Sequence, residues 1–236
     1  AIRRDNSEGC LMAANEYLNK SIIYAGSDIF SIPSLQRLLD LKYKKITVLT
    51  RPPKRQGRGM KVKNNPLAQF SSEQNIETLM PEDPNDGGFL ESLKEIKPVA
   101  LITSAYGKMV SEALLDIFSL GNINIHPSLL PRWRGPSPIE SAILEGDTET
   151  GVTLMQMTEE LDAGPIYAQQ SIPLGEENTM KLSEKLSLLA ANMLEGFLPS
   201  FLGGFQVMKE QDERCVTHSK IIKKEHARVD WNEHPK

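Results

Sequence analysis

Short apolar runs alternate with amphipathic segments along most of the chain. Four of these runs are rich in β-branched residues and bounded by turn residues, which predicts strands at 21–25 (SIIYA), 45–50 (KITVLT), 98–103 (PVALIT) and 122–126 (NINIH). Apolar residues at helical spacing predict helices between them, after the capping residues Ser27 or Asp28 and at 67–77, 89–96 and 110–118. Such alternation is typical of an α/β fold with a parallel sheet.

The pattern changes beyond residue 150. Two strands are predicted at 151–157 and 165–173, and residues 179–201 carry the longest helical signal. The apolar stripe of this helix is predicted to pack in the core: Leu182, Leu186, Leu189, Met193, Phe197 and Phe201. Residues 205–236 are polar, with a weak strand at 205–208. Together the elements predict a doubly wound, Rossmann-like and mostly parallel sheet.

The stretch 51–63 (RPPKRQGRGMKVK) follows no period and contains six cationic residues and no acidic one. Its prolines and glycines predict a loop. The formal net charge of the whole chain is −4, so this positive charge is local. The residues alone leave open whether the loop is simply solvated or binds an anionic partner.

Composition narrows the class of protein. The chain has 236 residues, 39% of them hydrophobic and 25% charged, which is ordinary for a globular protein with a sizeable core. No run approaches the roughly 18 apolar residues of a membrane span. Cys10 and Cys215 form neither a CxxC site nor a disulfide framework, which favours a reducing compartment. Residues 1–20 lack the apolar core of a secretory signal, and Arg3 and Arg4 fit the remnant of a transit peptide.

Candidate chemistry is concentrated in residues 121–165. Asn124 and His126 lie two apart on a predicted strand, so both side chains face the same side of the sheet, at the end where α/β proteins bind ligands. Asp162 follows in the turn LDAGP. An amide, an imidazole and a carboxylate could support acyl transfer, although an isolated Asn-x-His also fits ordinary structural residues. No HExxH, Cys/His cluster, GxSxG or GxGxxG is present, so no metal or dinucleotide site is predicted.

The segment NINIHPSLLPRWRGPSPI, followed by GDTETGVTLMQM and LDAGPI, resembles the signature of the 10-formyltetrahydrofolate-dependent formyltransferases. PRWRG together with GDTETGVT resembles the methionyl-tRNA formyltransferases within that group. Further similar segments run in the same order from Ser21 to Trp231: SIIYAGSDIFSIPSLQRLL, RPPKRQGRG, AYGKMVSEALLD and HSKIIKKEHARVDW. The resemblance implies the α/β formyltransferase fold.

The resemblance also implies roles for particular residues. The catalytic residues would be Asn124, His126 and Asp162. The first two would stabilise the oxyanion formed when the methionine amine of initiator tRNA attacks the formyl carbon, and Asp162 would tune His126 and assist proton removal. The element that borders 10-formyltetrahydrofolate, a consumed co-substrate, would be Ser128, Leu129, Leu130 and Pro131. No metal is needed.

The basic loop would contact phosphates of the tRNA acceptor end through Arg51, Lys54, Arg55, Arg58, Lys61 and Lys63. Arg132, Trp133 and Arg134 receive no role. The implied organisation is an N-terminal extension at 1–20, a catalytic domain at 21–208, and at 209–236 a linker toward a C-terminal β-barrel domain that this sequence lacks. The expected partners are initiator Met-tRNA and the folate, without a membrane, for a monomer in the mitochondrial matrix or, second, in bacterial cytoplasm.

Three alternatives remain beside this hypothesis. The acceptor could be a small amine, glycinamide ribonucleotide or an amino sugar, although the basic loop and PRWRG favour tRNA. A hydrolase that releases formate from 10-formyltetrahydrofolate would be expected to carry an N-terminal regulatory module that is not seen. A non-catalytic relative would serve in binding or assembly, and the intact Asn124, His126 and Asp162 argue against it.

Overall fold

The computed structural model of the protein describes residues 17–56, 60–223 and 225. Within these residues the strands are β1 (Ser21–Gly26), β2 (Lys45–Leu49), β3 (Lys54–Gln56), β4 (Lys61–Lys63), β5 (Thr78–Leu79), β6 (Ala100–Ser104), β7 (Asn122–His126), β8 (Glu149–Met155) and β9 (Ile166–Pro173). The α-helices are α1 (Ile32–Asp40), α2 (Pro66–Glu73), α3 (Gly87–Glu95), α4 (Glu112–Leu115), α5 (Pro138–Leu144) and α6 (Thr179–Leu202). None of these helices is long and apolar enough to cross a membrane.

Seven strands form one sheet in the order β5-β2-β1-β6-β7-β8-β9. The strands from β5 to β7 are parallel, and β8 and β9 continue the sheet in antiparallel pairing. The predicted doubly wound, mostly parallel sheet is therefore confirmed. The chain moves outward from β1 to β2 and β5 and then returns to the other side of β1 as β6, which opens a crevice at the carboxyl ends of β1 and β6.

Helices cover both faces of the sheet. Alternate strand residues point to opposite faces, so each strand contributes side chains to two cores. Tyr24 and Ile102 pack on the face covered by α1, α2, α5 and α6, whereas Ile23 and Leu101 pack on the face covered by α3 and α4. The predicted stripe on α6 is confirmed as part of the first core. Its buried members are Leu182, Leu186, Met193 and Phe201, and its partly buried members are Leu189 and Phe197.

Some predicted elements are wrong or misplaced. The loop predicted at residues 51–63 contains the antiparallel hairpin of β3 and β4. The side chains of this hairpin that the structure describes are exposed, so no apolar alternation marks it in the sequence. Residues 205–208 form no strand; only Lys209 pairs with Ile166, through backbone hydrogen bonds of 2.8 and 2.9 Å.

Helix boundaries also differ from the predicted ones. The proline-rich segment after His126 contains the unpredicted helix α5, which begins at Pro138, a residue suited to the first helical position. Helix α2 ends early, and Asn75 follows it in the left-handed region with φ of 55°. The predicted N-terminal extension lies mostly outside the described residues, and the domain boundaries at 20 and 208 stay predictions.

Candidate active site

A cavity of about 620 Å³ opens at the carboxyl ends of β1, β6 and β7. This volume is within the range of small-molecule binding sites. Asn124, His126 and Asp162 all line it, so the fold brings together the three residues predicted to be catalytic. Strand β7 supplies the first two from one face of the sheet, and the loop between β8 and β9 supplies the third.

The ring of His126 is 4% exposed and held by a backbone group. Its Nε2 lies 3.0 Å from the carbonyl oxygen of Trp133. Because a carbonyl oxygen only accepts hydrogen bonds, Nε2 carries the hydrogen. Nδ1 therefore faces Asp162, whose Oδ2 lies 3.7 Å away. That distance is too long for a direct hydrogen bond but short enough for the carboxylate to stabilise a proton taken up at Nδ1.

Asp162 is held through both its carboxylate and its backbone. Its Oδ2 accepts a hydrogen bond of 2.8 Å from the backbone N–H of Gly135. Its own carbonyl oxygen accepts another of 2.8 Å from Nε2 of Gln211. The backbone of Asp162 has φ of 53°, a left-handed conformation that non-glycine residues adopt only rarely. These contacts hold an otherwise uncommon turn in place.

Other polar groups of the cavity wall have spare hydrogen-bonding capacity. The Asn124 side chain makes no hydrogen bond to any residue that the structure describes. The hydroxyls of Thr103 and Tyr106 are buried and also have no partner among those residues. Burial raises the pKa of the Tyr106 phenol, so it stays protonated and can donate. Beside these groups, Val110, Met155 and Met157 make the wall apolar.

The four residues predicted to border the folate, Ser128, Leu129, Leu130 and Pro131, do not line this cavity. Of the four, Leu129 borders a smaller cavity of about 320 Å³. Their polar groups bond within the protein: the Ser128 hydroxyl donates to the carbonyl of Arg132 over 2.6 Å, and Gln169 donates to the carbonyl of Leu130 over 2.7 Å. Their contact with folate stays a prediction.

The residues predicted to bind tRNA divide into two groups. Arg51 is half-buried and lines the cavity itself. The second group, Lys54, Arg55, Lys61 and Lys63, is exposed on the β3–β4 hairpin. Arg58 lies outside the described residues. Within the described residues, no cluster of three or more His, Cys, Asp or Glu side chains could hold a metal ion.

A family model described as formyl transferase matches residues 24–195. The chain belongs to the formyl transferase family. A methionyl-tRNA formyltransferase of Caldanaerobacter subterraneus subsp. tengcongensis is 37% identical over 212 residues, which are 89% of this chain and 69% of the relative. As a member of this family, the chain is a formyl-transferring enzyme.

Solved structures of other formyl transferases share the fold. WlaRD, a sugar 3N-formyl transferase solved in the presence of dTDP and 5-N-formyl-THF, has a TM-score of 0.65 at 19% identity, covering 85% of this chain and 69% of WlaRD. Phosphoribosylglycinamide formyltransferase of Bacillus halodurans has a TM-score of 0.64 at 23% identity, covering 78% of this chain and 95% of that enzyme. The sheet and helices described above are therefore those of formyl transferases.

A clamp of three side chains, Arg132, Trp133 and Asp147, holds the loop that contacts His126 in this formyl transferase. Nε and Nη2 of Arg132 donate to the Asp147 carboxylate over 2.9 and 2.5 Å, and Nε1 of Trp133 donates to it over 2.8 Å. The guanidinium also lies 4.3 Å from the centre of the indole ring. The sequence did not predict this role, because the group that contacts His126 is a backbone carbonyl. Every residue has such a carbonyl, so the residue type does not indicate which one will bond.

The Arg132 hydrogen bonds hold the pKa of the Asp147 carboxyl below its usual value. A depressed carboxyl pKa adds stability above the unfolded-state pKa, and this contribution is lost as pH falls through the folded-state pKa. We therefore expect Asp147→Asn to lower the free energy of unfolding at pH 7, and the difference from wild type to shrink below about pH 4. Urea unfolding of both proteins between pH 7 and pH 3 measures it. A difference that does not change with pH would contradict the assignment.

Proposed function

We propose that this chain transfers the formyl group of 10-formyltetrahydrofolate to the α-amino group of methionine carried by initiator tRNA. One observation carries the proposal: Asn124, His126 and Asp162 meet on one cavity wall in a chain whose 37%-identical relative is a methionyl-tRNA formyltransferase. The carboxyl-end crevice of the sheet is also where α/β enzymes bind their substrates.

The chain's own residues then divide the work of transfer. The folate, when bound, supplies the formyl carbon that the amine attacks. Asn124 donates a hydrogen bond to the formyl oxygen, where negative charge develops. His126 takes the proton released by the amine at Nδ1, rather than taking the oxyanion role that the resemblance implies, since Nε2 already donates to Trp133 and a neutral Nδ1 has no hydrogen to donate. Asp162, with its Oδ2 at 3.7 Å from Nδ1, stabilises the imidazolium that results. His126 then gives this proton to N10 of the folate as the bond from N10 to the formyl carbon breaks and tetrahydrofolate leaves.

The cavity wall fits a folate better than a fully polar ligand. Met155 and Met157 line the cavity and offer apolar contact to a flat ring system such as a pterin. Arg51 at the cavity rim adds a positive charge near the path of an anionic acceptor.

The β3–β4 hairpin favours a nucleic-acid acceptor over a small amine. Lys54 and Lys63 stand directly opposite each other across the two strands, an arrangement that is destabilising for like charges. An anionic partner relieves that repulsion, and tRNA phosphates provide a row of negative charges. We include Lys54, Arg55, Arg58, Lys61 and Lys63 in the proposed tRNA contact.

Neutralising this pair of lysines tests the contact. We expect Lys54→Gln with Lys63→Gln to raise the KM for tRNA and to leave kcat at saturating tRNA unchanged. The salt dependence of KM should fall by a slope of about 1 for each phosphate that the variant no longer neutralises. Lys44→Gln with Lys45→Gln is the matched control, because both residues are exposed at the opposite end of the sheet. Equal effects of the two double variants would argue against the hairpin.

Single-turnover transfer of labelled formyl from 10-formyltetrahydrofolate decides the acceptor. Met-charged initiator tRNA, glycinamide ribonucleotide and an amino sugar nucleotide are offered to the same enzyme. We expect label on the tRNA alone. Label on either small amine in preference to tRNA would overturn the acceptor, and folate binding without transfer to any of them would overturn catalysis by this chain.

We also propose the mitochondrial matrix as the place of action. The proposal rests on the resemblance of HPSLLPRWRGPSPI to mitochondrial members of the family. Residues 1–16, which carry the transit-peptide interpretation, lie outside the described residues. Import of the labelled precursor into isolated mitochondria tests it, and a precursor that stays accessible to added protease would contradict it.

A further inference from the structure

Residues 209–219, here called the strap, cross both loops that carry the site. At one end, Lys209 pairs with Ile166, just beyond the loop of Asp162. At the other end, the strap runs alongside the loop that contains Trp133 and Arg134. The hydrogen bonds that join them include Arg134 N–H to the Thr217 carbonyl (2.9 Å), Ser219 N–H to the Arg134 carbonyl (2.7 Å), Trp133 N–H to the Thr217 hydroxyl (2.9 Å) and Ser137 N–H to the Ser219 hydroxyl (3.1 Å).

Within the described residues, Gln211 is the one strap side chain that forms hydrogen bonds to both the loop of Arg134 and the loop of Asp162. Its Nε2 donates to the carbonyl oxygens of Asp162 and Gly164, each over 2.8 Å. Its Oε1 accepts a hydrogen bond of 3.0 Å from Nε of Arg134. Gln211 is 8% exposed and Arg134 is 2% exposed. The orientation of the amide is set by its partners, because two carbonyls can only accept and a guanidinium can only donate.

This bridge acts on the geometry of the candidate catalytic pair. On one side, the Trp133 carbonyl next to Arg134 orients His126. On the other, Gln211 bonds the backbone of Asp162, whose φ of 53° requires external support. The amide of Gln211 therefore joins the support of the imidazole to the support of the carboxylate.

We propose that Gln211 is a positioning residue for formyl transfer, which sets the separation between Asp162 and His126. The inference rests on the proposed function, because it takes these two residues to be catalytic. It assigns a role in the active site to a segment that the sequence predicted as a linker.

Two variants disrupt the hydrogen bonds of the Gln211 amide while keeping a polar side chain of similar size. Gln211→Asn keeps the amide but lacks the reach, and Gln211→Glu keeps an acceptor for Arg134 but cannot donate to the two carbonyls. We expect each to lower kcat about 10- to 100-fold, because small misplacements of reacting groups have effects of this size, with little change in KM for either substrate. Asp212→Asn is the control, since Asp212 is exposed on the strap and its side chain bonds only Arg214 within the described residues.

A double-mutant cycle separates positioning from a general structural role. If Gln211 acts through Asp162, Gln211→Asn has almost no further effect on kcat in the Asp162→Asn background. The same fold-loss in both backgrounds, or a Tm loss that accounts for inactive protein, would overturn the proposal. An unchanged kcat for both Gln211 variants would overturn it as well.

A readout without catalysis keeps the two proposals distinct. The ¹⁵N chemical shifts of the His126 ring at pH 7 report the surroundings of Nδ1. We expect Gln211→Asn and Asp162→Asn to change the Nδ1 shift in the same direction, and Asp212→Asn to leave it unchanged. Wild-type protein that formylates no acceptor would overturn the proposed function and, with it, a role of Gln211 in transfer, whereas the ring shifts would still show whether Gln211 sets the separation between Asp162 and His126. An Nδ1 shift that is unchanged in Gln211→Asn would overturn the positioning role and leave the proposed function intact.

Discussion

His126→Ala is expected to lower the single-turnover rate of formyl transfer by about 10²-fold or more, the usual effect of removing a general base. The reason is geometric. Nδ1 is the only nitrogen of the ring with a free lone pair, because Nε2 donates to the Trp133 carbonyl, and it points to the carboxylate of Asp162. Removing the ring removes the proposed proton acceptor and leaves the Asp162 carboxylate bonded to the Gly135 N–H but without an imidazole beside it.

The fold is expected to survive this change with a modest loss of stability. The Trp133 carbonyl loses its donor, and an unsatisfied buried group typically costs about 1–3 kcal/mol. Circular dichroism and the Tm check the fold, and retained folate binding checks the cavity. His218→Ala is the matched control, since His218 is exposed on the strap. A His126→Ala enzyme with a wild-type rate would remove His126 from the mechanism.

Asn124→Ala is expected to lower kcat by about 10²- to 10³-fold, the effect of deleting one preorganised donor to a developing oxyanion. Asn124 lines the cavity on the same face of β7 as His126, and its amide makes no hydrogen bond to the described part of the chain. The group is thus available for the substrate without first breaking a bond to the protein. The loss should fall mainly on kcat, because the charge on the formyl oxygen exists only during reaction.

Two companions sharpen this experiment. Asn124→Asp places a carboxylate where negative charge develops, so it is expected to be at least as slow as Asn124→Ala. Ser183→Ala changes another residue of the same cavity wall, on α6. Its kcat is expected to stay within about twofold of wild type, because the change removes only one hydroxyl that is given no part in the reaction. If Asn124→Ala raised only the KM, Asn124 would be a binding residue and not an oxyanion donor.

Periodicity predicts those elements that bury a face. Apolar spacing predicts the strands β1, β2, β6 and β7 and the helix α6. Each of these elements packs apolar residues against the core, so their spacing follows the period of the element. The hairpin of β3 and β4 buries no described side chain, so nothing in its spacing distinguishes it from a loop. Helix α5 carries only its initial proline as a signal.

The amino-acid sequence was sufficient to predict the α/β class and to name three side chains that meet in one cavity. Asn124 and His126 share a face because strand residues two apart always do, and Asp162 stands out as a carboxylate in the turn LDAGP. The folded chain was needed to show which nitrogen of His126 is free and what holds Asp162 near it. Those answers depend on the Trp133 carbonyl and the Gln211 amide. Every residue has a backbone carbonyl, so the residue type does not show that the Trp133 carbonyl bonds His126. Gln211 reaches Asp162 only after the chain has folded back, so the sequence around Asp162 does not predict that contact either.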